Sequence, residues 1–313
     1  MHKGDDGLRI GIDLGGTKTE AAAMTASGEI VARRRVPTPR GTYQDTVDAI
    51  VGLVRGLENE LGATGTVGVA TPGAISPASG LIKNANSTDL IGHALDVDLA
   101  AALGRPVRIS NDANCFALSE AVDGAGRDCD VVFGVIIGTG TGGGVVVHGQ
   151  ILTGPNAIAG EWGHNPLPWP QQGEWPGPRC YCGRNGCVEA FLSGPGLSRD
   201  FLEHSGEVAD APGIVSRAEA GEDAAEACMQ RYEDRMARAL AHVVNILDPD
   251  VIVLGGGLSN ISRLYDNVPK LWGGYVFSDR VDTKLRPPVH GDSGGVRGAA
   301  WLWPNTATRP MES

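Results

Sequence analysis

The sequence predicts a two-lobed α/β protein. A strand, a glycine-rich turn and a second strand follow one another from Leu8, and the same order returns from Val131, roughly 125 residues later. A chain of 313 residues is too long for one ordinary core, since domains usually run ~100–200 residues. Between the two openings, apolar residues recur at three- and four-residue steps over 44–61 and predict a helix. We expect one lobe of residues 1–118, completed by a C-terminal helix within 294–313, and a second lobe of residues 119–293.

Further elements can be placed from apolar runs and turn residues. We expect strands at 66–70, 106–110 and 251–254, a helix that begins just after Asp112, a helix over 222–247 and a closing helix over 294–303. The segment 154–190 is rich in Gly, Pro and Trp and is too long for a simple connector. Loops of that length are usually functional or held together by something.

Charge and composition exclude several classes of protein. The net charge of −11 argues against nucleic acid as a partner, because nucleic-acid binders carry basic patches. The N-terminal MHKGDDG lacks the apolar stretch of a signal peptide, and polar residues interrupt each apolar run before it reaches membrane-spanning length. We therefore expect a cytoplasmic protein without a membrane partner. In that compartment the six cysteines are thiols or metal ligands rather than disulfides.

Three glycine clusters could hold nucleotide phosphates. The first, GIDLGGTK (11–18), is not a P-loop, because Thr17 separates the second Gly from Lys18; alone it could be a simple hairpin turn. The second, 138–144, matches G-x-G-x-x-G, but a strand follows where a dinucleotide fold needs a helix. With the third cluster at 255–257, this order resembles the actin/hexokinase-like ATPase (ribonuclease H-like) fold, in which two lobes flank an interlobe cleft.

Asn111 and Asp112 stand where a strand passes into a helix. One interpretation is a helix cap, with a side-chain oxygen accepting a backbone N–H. The other is catalytic: a carboxylate at a helix N-terminus stays ionised and can accept a hydroxyl proton during phosphoryl transfer. The two interpretations are compatible.

His164 and the run CYCGRNGCVE predict a metal site. Three thiolates from Cys180, Cys182 and Cys187 with one imidazole form a closed tetrahedral set, as expected for structural zinc. The C-x-C spacing fits the commoner C-x2-C template only loosely, and a disulfide or free thiols are the alternatives. A metal would explain how a Pro/Gly-rich loop keeps one shape.

Polar residues near this cluster and upstream of it could bind sugar hydroxyls. Glu161 and Glu189 flank the cluster, and the loop KNANST (83–88) contains two asparagines, a serine and a threonine. Solvated loop polarity is the alternative for either stretch. Together they supply the amide and carboxylate partners that hydroxyl groups require.

The combined motifs resemble the ROK (repressor, open reading frame, kinase) sugar kinases. These motifs are GIDLGGTK, NDAN at 111–114, GTGTGGG, E-x-G-H at 161–164 and C-x-C-G-x-x-G-C-x-E. The resemblance runs from about Leu8 to Trp303. Within the family, the loops KNANST and EWGHNPLPW look most like bacterial fructokinases that also accept mannose. This resemblance implies an ATP-dependent hexose kinase that acts on the 6-hydroxyl of fructose. Mannose would be a slower substrate, and N-acetylated sugars would be very poor ones.

The resemblance also implies roles for individual residues. Asp112 would be the catalytic base, and Asp13 would organise Mg²⁺. The sugar would be held by Asn86, Asn111, Glu161, His164 and Glu189. The ATP phosphates would lie on Gly15, Gly16, Thr17, Lys18, Thr139 and Gly140, with Gly256 and Gly257 beside the adenosine. His164 would use one ring nitrogen for zinc and the other for the sugar.

Two other functions fit these residues. Within the family, an N-acetylhexosamine or glucose kinase shares the glycine turns and the cysteine run. In another class, a non-catalytic regulator or actin-like assembly protein could keep the nucleotide site. Asp112 and the intact E-x-G-H favour the enzyme. The family's repressors carry an extra N-terminal DNA-binding domain, whereas here the first phosphate turn begins at Gly11. By analogy with the family, a homodimer is an expectation.

Overall fold

The computed structural model describes residues 7–85 and 88–304. The strands are β1 (Arg9–Leu14), β2 (Lys18–Met24), β3 (Ile30–Pro37), β4 (Thr66–Thr71), β5 (Ala74–Ile75), β6 (Ile82–Lys83), β7 (Val107–Asn111), β8 (Val131–Ile137), β9 (Thr141–Val147), β10 (Gln150–Ile151), β11 (Val251–Gly255) and β12 (Lys284–Arg286). The helices are α1 (Tyr43–Leu61), α2 (Leu95–Leu103), α3 (Asp112–Asp123), α4 (Val188–Leu192), α5 (Gly194–Ser205), α6 (Ala211–Glu219), α7 (Asp223–Leu247), α8 (Arg263–Trp272) and α9 (Gly294–Trp301).

The chain divides into two compact units. Unit 1 contains the described residues within Met1–Asp123, Thr153–Ala159 and Asp292–Ser313. Unit 2 consists of Gly124–Leu152 and Gly160–Gly291. The chain therefore leaves unit 1, returns to it for one short segment, and returns again for its C-terminal helix.

Unit 1 is built on a sheet of order β3-β2-β1-β4-β7. Strands β1 and β2 form an antiparallel hairpin, and β1, β4 and β7 run parallel. Helix α1 buries Ile50, Val54 and Leu57 against this sheet, and a Thr42–Asp45 capping box fixes its start. Because parallel strands end at the same edge of a sheet, the first glycine turn and Asn111 come to one edge.

Unit 2 is built on a second sheet, of order β10-β9-β8-β11-β12. Strands β8 and β9 form a hairpin, and β8 runs parallel to β11. The longest helix, α7, buries Tyr232, Met236 and Leu240 in the core of this unit. The parallel arrangement brings the second glycine turn, after β8, to the same sheet edge as the glycines after β11.

The predicted α/β fold is confirmed in most of its elements. The structure contains the strands predicted at 66–70, 106–110 and 251–254, and α7 and α9 agree with the predicted helices to within two residues at each end. Helix α3 begins at Asp112 itself rather than after it. Five helices were not predicted: α2, α4, α5, α6 and α8. Within residues 7–85 and 88–304, no helix has both the length and the apolar character needed to cross a membrane.

Helix α9 completes unit 1 by packing very closely on α3. A Cβ atom on Gly298 would lie 1.7 Å from the Cys115 carbonyl oxygen, a separation no real side chain adopts. The glycine therefore sets the distance between the two helix backbones. This contact ties the C-terminal helix to the helix that begins with Asp112.

We predict that Gly298→Ala lowers the free energy of unfolding by about 3 kcal/mol, because the added methyl group must separate two backbones. The control is Gly52→Ala on α1, where a Cβ meets nothing within 4 Å. That change should raise the free energy of unfolding by ~0.5–1 kcal/mol through helix propensity. Denaturant unfolding measures both. Equal stabilities for the two variants would contradict the close packing.

Candidate active site

The first glycine turn, between β1 and β2, is fixed from its inner side. The Gly15 amide donates to the Lys18 carbonyl at 3.1 Å, and the Thr38 hydroxyl donates to the Gly15 carbonyl at 2.6 Å. Gly16, Thr17 and Lys18 are exposed. The turn thus has one side held by Thr38, the residue after β3, and the other side accessible to a ligand, which suits a backbone that binds phosphate oxygens.

Asp13 lies at the end of β1 in a largely buried position. Burial, followed by the negative charges of Asp112 and Glu20, raises the pKa of Asp13 to about 6, against the opposing charges of Lys18 and Arg35. A carboxylate crowded by other carboxylates is stabilised by a cation. Asp13 therefore fits the role of a Mg²⁺-organising group.

The Asn111 side chain caps α3. Its Oδ1 accepts from the Ala113 amide at 2.9 Å, and its Nδ2 donates to the Gly73 carbonyl at 3.2 Å. Asp112 Oδ1 also accepts from the Ala113 amide, at 2.8 Å, while Asp112 as a whole is exposed. The capping interpretation is confirmed. It leaves an exposed carboxylate at a helix N-terminus, as the catalytic interpretation requires.

The second glycine turn, between β8 and β9, is held by backbone bonds from two sides. The Gly138 amide donates to the Gly140 carbonyl at 2.9 Å, and the Gly194 amide donates to the Gly138 carbonyl at 2.7 Å. The Glu189 carboxylate accepts from the Thr141 amide at 3.1 Å. Glu189, which is predicted to bind the sugar, therefore also fixes Thr141, the first residue of β9. Thr141 lies next to Thr139 and Gly140, which are predicted to bind phosphate.

The E-x-G-H segment packs directly on β9. A Cβ on Gly163 would lie 2.0 Å from the Thr141 carbonyl oxygen, so only glycine permits this contact. The Trp162 indole is buried, donates to the Gly142 carbonyl at 3.0 Å and meets Phe133 edge-to-face. On either side of this anchor, Glu161 is exposed and His164 is half-buried. The anchor fixes the backbone on both sides of the motif.

His164 and the three cysteines of the CYCGRNGC run lie together. Their donor atoms lie within 4.8 Å of one another, with Cys180 Sγ 3.7 Å from His164 Nδ1 and Cys182 Sγ 3.6 Å from Cys187 Sγ. A tetrahedron with Zn–S bonds of ~2.3 Å has edges of ~3.8 Å. The cluster therefore fits a zinc ion, and a disulfide, with its ~2.05 Å bond, does not describe it.

The orientation of His164 limits how it could meet a sugar. Its Nδ1 faces the cysteines, and its Nε2 lies 3.0 Å from the Tyr181 hydroxyl. Tyr181, between Cys180 and Cys182, is 73% exposed and meets the imidazole edge-to-face. A sugar hydroxyl that binds Nε2 must therefore replace or share the Tyr181 contact.

A cavity of about 790 Å³ opens beside the second glycine turn in unit 2. It is lined by Thr139 of the turn, Gly257, and apolar residues that include Pro195, Pro212 and Ile261. A planar adenine fits such a lining, which is apolar with a few polar groups. The structure thus brings Thr139 and Gly257 to one cavity, as the predicted nucleotide site requires.

The starts of α5 and α6, which border this cavity, were missed by sequence reasoning. Ser193 caps α5 by accepting from the Gly196 amide at 3.2 Å, and Asp210 caps α6 by accepting from the Gly213 amide at 2.9 Å. Each cap is followed two residues later by proline. A capping residue with proline in the first turn is a recognised helix start, and could have revealed both helices.

Comparisons with known proteins identify the family. The pattern of the ROK family matches residues 9–306. An N-acetyl-D-glucosamine kinase of Photobacterium profundum is 42% identical over 299 residues, which cover 94% of this chain and 99% of that protein. The crystal structure of a ROK hexokinase from Thermus thermophilus superposes with a TM-score of 0.83 at 32% identity, over 94% of this chain and 96% of that one.

A second solved structure carries ligands. It is a ROK family glucokinase from Streptomyces griseus in complex with glucose and AMPPNP, with a TM-score of 0.77 at 27% identity, over 95% of this chain and 99% of that one. The chain belongs to the ROK family, and it is a sugar kinase of that family with the expected hexokinase-like ATPase fold.

The predicted fructokinase subgroup is not supported. The curated relatives at about 40% identity are N-acetyl-D-glucosamine kinases, which agrees with the N-acetylhexosamine alternative. The subgroup assignment depended mainly on the loop at 84–88, and its central residue, Asn86, lies outside the described residues together with Ser87. Short shared motifs did not discriminate between sugars.

We predict that purified protein carries about one zinc per chain. Cys187→Ser removes one of four donors, so zinc should be lost to a chelator and the sugar KM should rise sharply, while the ATP KM changes little. Cys129→Ser, outside the cluster, is the matched control and should behave as wild type. Metal analysis and initial-rate kinetics measure these effects. Active, unchelated enzyme without zinc would contradict the site.

Proposed function

We propose that this chain is an ATP-dependent N-acetyl-D-glucosamine kinase that phosphorylates the 6-hydroxyl of its sugar. The observation that carries the proposal is identity of 42% over nearly the full length of a curated kinase for that sugar. The site described above supplies the parts that phosphoryl transfer needs. ATP is the donor, and a cytoplasmic location accords with that donor.

The nucleotide is bound by backbone more than by charge. Gly15–Lys18 in unit 1, and Thr139 and Gly140 in unit 2, present turns whose amides suit phosphate oxygens. The apolar cavity beside Gly257 takes the adenosine. Asp13 would hold Mg²⁺, which would neutralise charge on the transferring phosphoryl group. Because Asp13 has a pKa of about 6, it is largely ionised and ready for the cation at pH 7.

The sugar is held by hydrogen bonds, and the base activates it. Glu161, His164, Glu189 and Asn111 each present a carboxylate, imidazole or amide group of the kind that pairs with hydroxyls. Asp112 accepts the proton of the 6-hydroxyl as that oxygen attacks the γ-phosphorus. The bond from the γ-phosphorus to the bridging oxygen breaks, and ADP leaves.

Zinc has a structural role in this proposal. Four protein donors fill a tetrahedral coordination sphere, which leaves no open position for a substrate or water. The ion would fix the His164 imidazole through Nδ1 and so leave a proton on Nε2, facing a hydrogen-bond acceptor. The metal would therefore orient His164, a residue proposed to bind the sugar, and would take no part in the chemical step.

We predict that kcat/KM is highest for N-acetyl-D-glucosamine among N-acetyl-D-glucosamine, N-acetyl-D-mannosamine, glucose, mannose and fructose. A site with partners for the acetamido group discriminates against sugars that leave those partners unpaired. ADP release over this panel, with saturating Mg²⁺–ATP, measures the ranking. A preference for fructose would restore the fructokinase interpretation.

We predict that Asp112→Asn lowers kcat by ~10²–10⁴-fold, the usual contribution of a general base, with little change in the Kd of ATP or sugar. The matched control is Asp223→Asn, because Asp223 is likewise an exposed aspartate at the first position of a helix. That variant should keep wild-type kcat. If Asp112→Asn also turns over normally, Asp112 is only a helix cap.

A further inference from the structure

One buried guanidinium in unit 2 is surrounded by a single loop. The Arg238 side chain, on α7, is 1% exposed. It donates to the carbonyls of Pro168 and Trp169 at 3.2 and 3.0 Å and to both oxygens of Glu174 at 2.9 and 3.0 Å. A fifth bond joins its Nε to Asp234, one turn earlier on α7, at 2.9 Å. Four of the five bonds thus reach the loop.

Glu174 is the loop's own contribution to this cluster. Its carboxylate is 8% exposed and also accepts from Arg235 Nε at 2.7 Å. Burial alone would raise the pKa of Glu174, but hydrogen bonds from Arg238 and Arg235 lower it below its usual value. One loop carboxylate therefore joins two arginines of α7, and removing it takes one carboxylate partner from each, leaving Asp234 beside Arg238 and Asp200 beside Arg235.

The segment held by Arg238 is connected through backbone hydrogen bonds to the residues proposed to bind the sugar. Just before Pro168, the chain pairs with the end of the cysteine run: Leu167 donates to the Gly186 carbonyl at 2.8 Å, and Val188 donates to the Asn165 carbonyl at 2.9 Å. His164 precedes the first of these paired segments, and Glu189 follows the second. A shift of the backbone at Trp169 would therefore be transmitted to both His164 and Glu189 through these two backbone hydrogen bonds.

The arginine contacts are separate from the candidate zinc ligands. The partners of Arg238 are Pro168, Trp169, Glu174 and Asp234, whereas the metal donors are His164 and the three cysteines at 180, 182 and 187. The loop is thus held at two places by different chemistry. Zinc would join the two ends of the segment, and the arginines hold the stretch 168–174 between them.

We propose that Arg238 and Glu174 are positioning residues that set the sugar affinity of the enzyme through the loop 165–189, independently of zinc. Neither residue is proposed to touch the sugar; each acts through the backbone that carries His164 and Glu189. The proposal rests on the assignment of the sugar site to this loop. The proposed anchor, Arg238, lies 64 residues after Glu174, the loop residue that it holds.

Three variants separate this role from general destabilisation. Glu174→Ala removes the anchor, Glu174→Gln keeps its shape and its oxygen acceptor, and Arg238→Lys keeps the charge but loses the planar fork that reaches two carbonyls and a carboxylate together. The matched control is Glu226→Gln. Glu226, also on α7, pairs with Arg263 of α8 at 2.6 Å. Its carboxylate therefore faces α8 instead of the loop.

The kinetic test uses the best sugar substrate, whichever it proves to be. Glu174→Ala and Arg238→Lys should raise the sugar KM by about tenfold or more, since small misplacements of binding groups weaken substrate binding strongly. The ATP KM and the kcat at saturating sugar should stay within about threefold of wild type. Glu174→Gln should restore most of the sugar affinity, and Glu226→Gln should leave it unchanged.

Two readouts are independent of activity. Zinc content should match the wild type in each variant, and amide hydrogen exchange should accelerate over 166–178 in Glu174→Ala and Arg238→Lys but not in Glu226→Gln. An unchanged sugar KM, a parallel rise in the ATP KM, or an equal effect of Glu226→Gln would overturn the proposal. Should Glu174→Ala fail to fold, Arg238→Lys decides the matter by the same criteria. A preference for another sugar would revise the proposed function and leave the exchange result standing.

Discussion

The contact between the 160–164 turn and β9 is the constraint on which the rest of the site depends. Gly163 lies so close to the Thr141 carbonyl that no side chain fits between them, and the Trp162 indole binds the next carbonyl along β9. Two short motifs, E-x-G-H and the second glycine turn, are therefore one packed unit. A group proposed to bind sugar and a turn proposed to bind phosphate therefore keep a fixed relation, because their backbones touch.

Around that contact, polar interactions hold the loop 165–189 at two places, in addition to the burial of Leu167 and Val188 in the core. The candidate zinc ligands place His164 beside the cysteine run, and Arg238 holds the stretch 168–174 to α7. Buried ion pairs are weak evidence for stability, since desolvation offsets most of their attraction. Their directionality, however, selects one loop conformation. We infer that these contacts fix the conformation of the loop, as discrimination between similar sugars requires.

Local signals predicted much of the fold and the site. Strand–glycine–strand patterns placed Gly15 and Gly138 at hairpins, and the change of pattern at Asp112 placed a helix start, because these features depend on neighbouring residues. The Arg238–Glu174 pair could not be predicted, since its members lie 64 residues apart and charged residues in a loop usually face solvent. The predicted preference for fructose is not supported, because the family's motifs encode phosphoryl transfer, while specificity depends on side chains that short motifs do not include.

The central claim is that this chain transfers the γ-phosphoryl group of ATP to the 6-hydroxyl of N-acetyl-D-glucosamine. The most direct test is phosphorus–proton correlation NMR on the product formed from ATP, Mg²⁺ and that sugar. Our account predicts a phosphorus resonance coupled to the two protons on carbon 6, together with stoichiometric ADP. Phosphorus coupled to the anomeric proton, or ADP formed without a phosphorylated sugar, would contradict it.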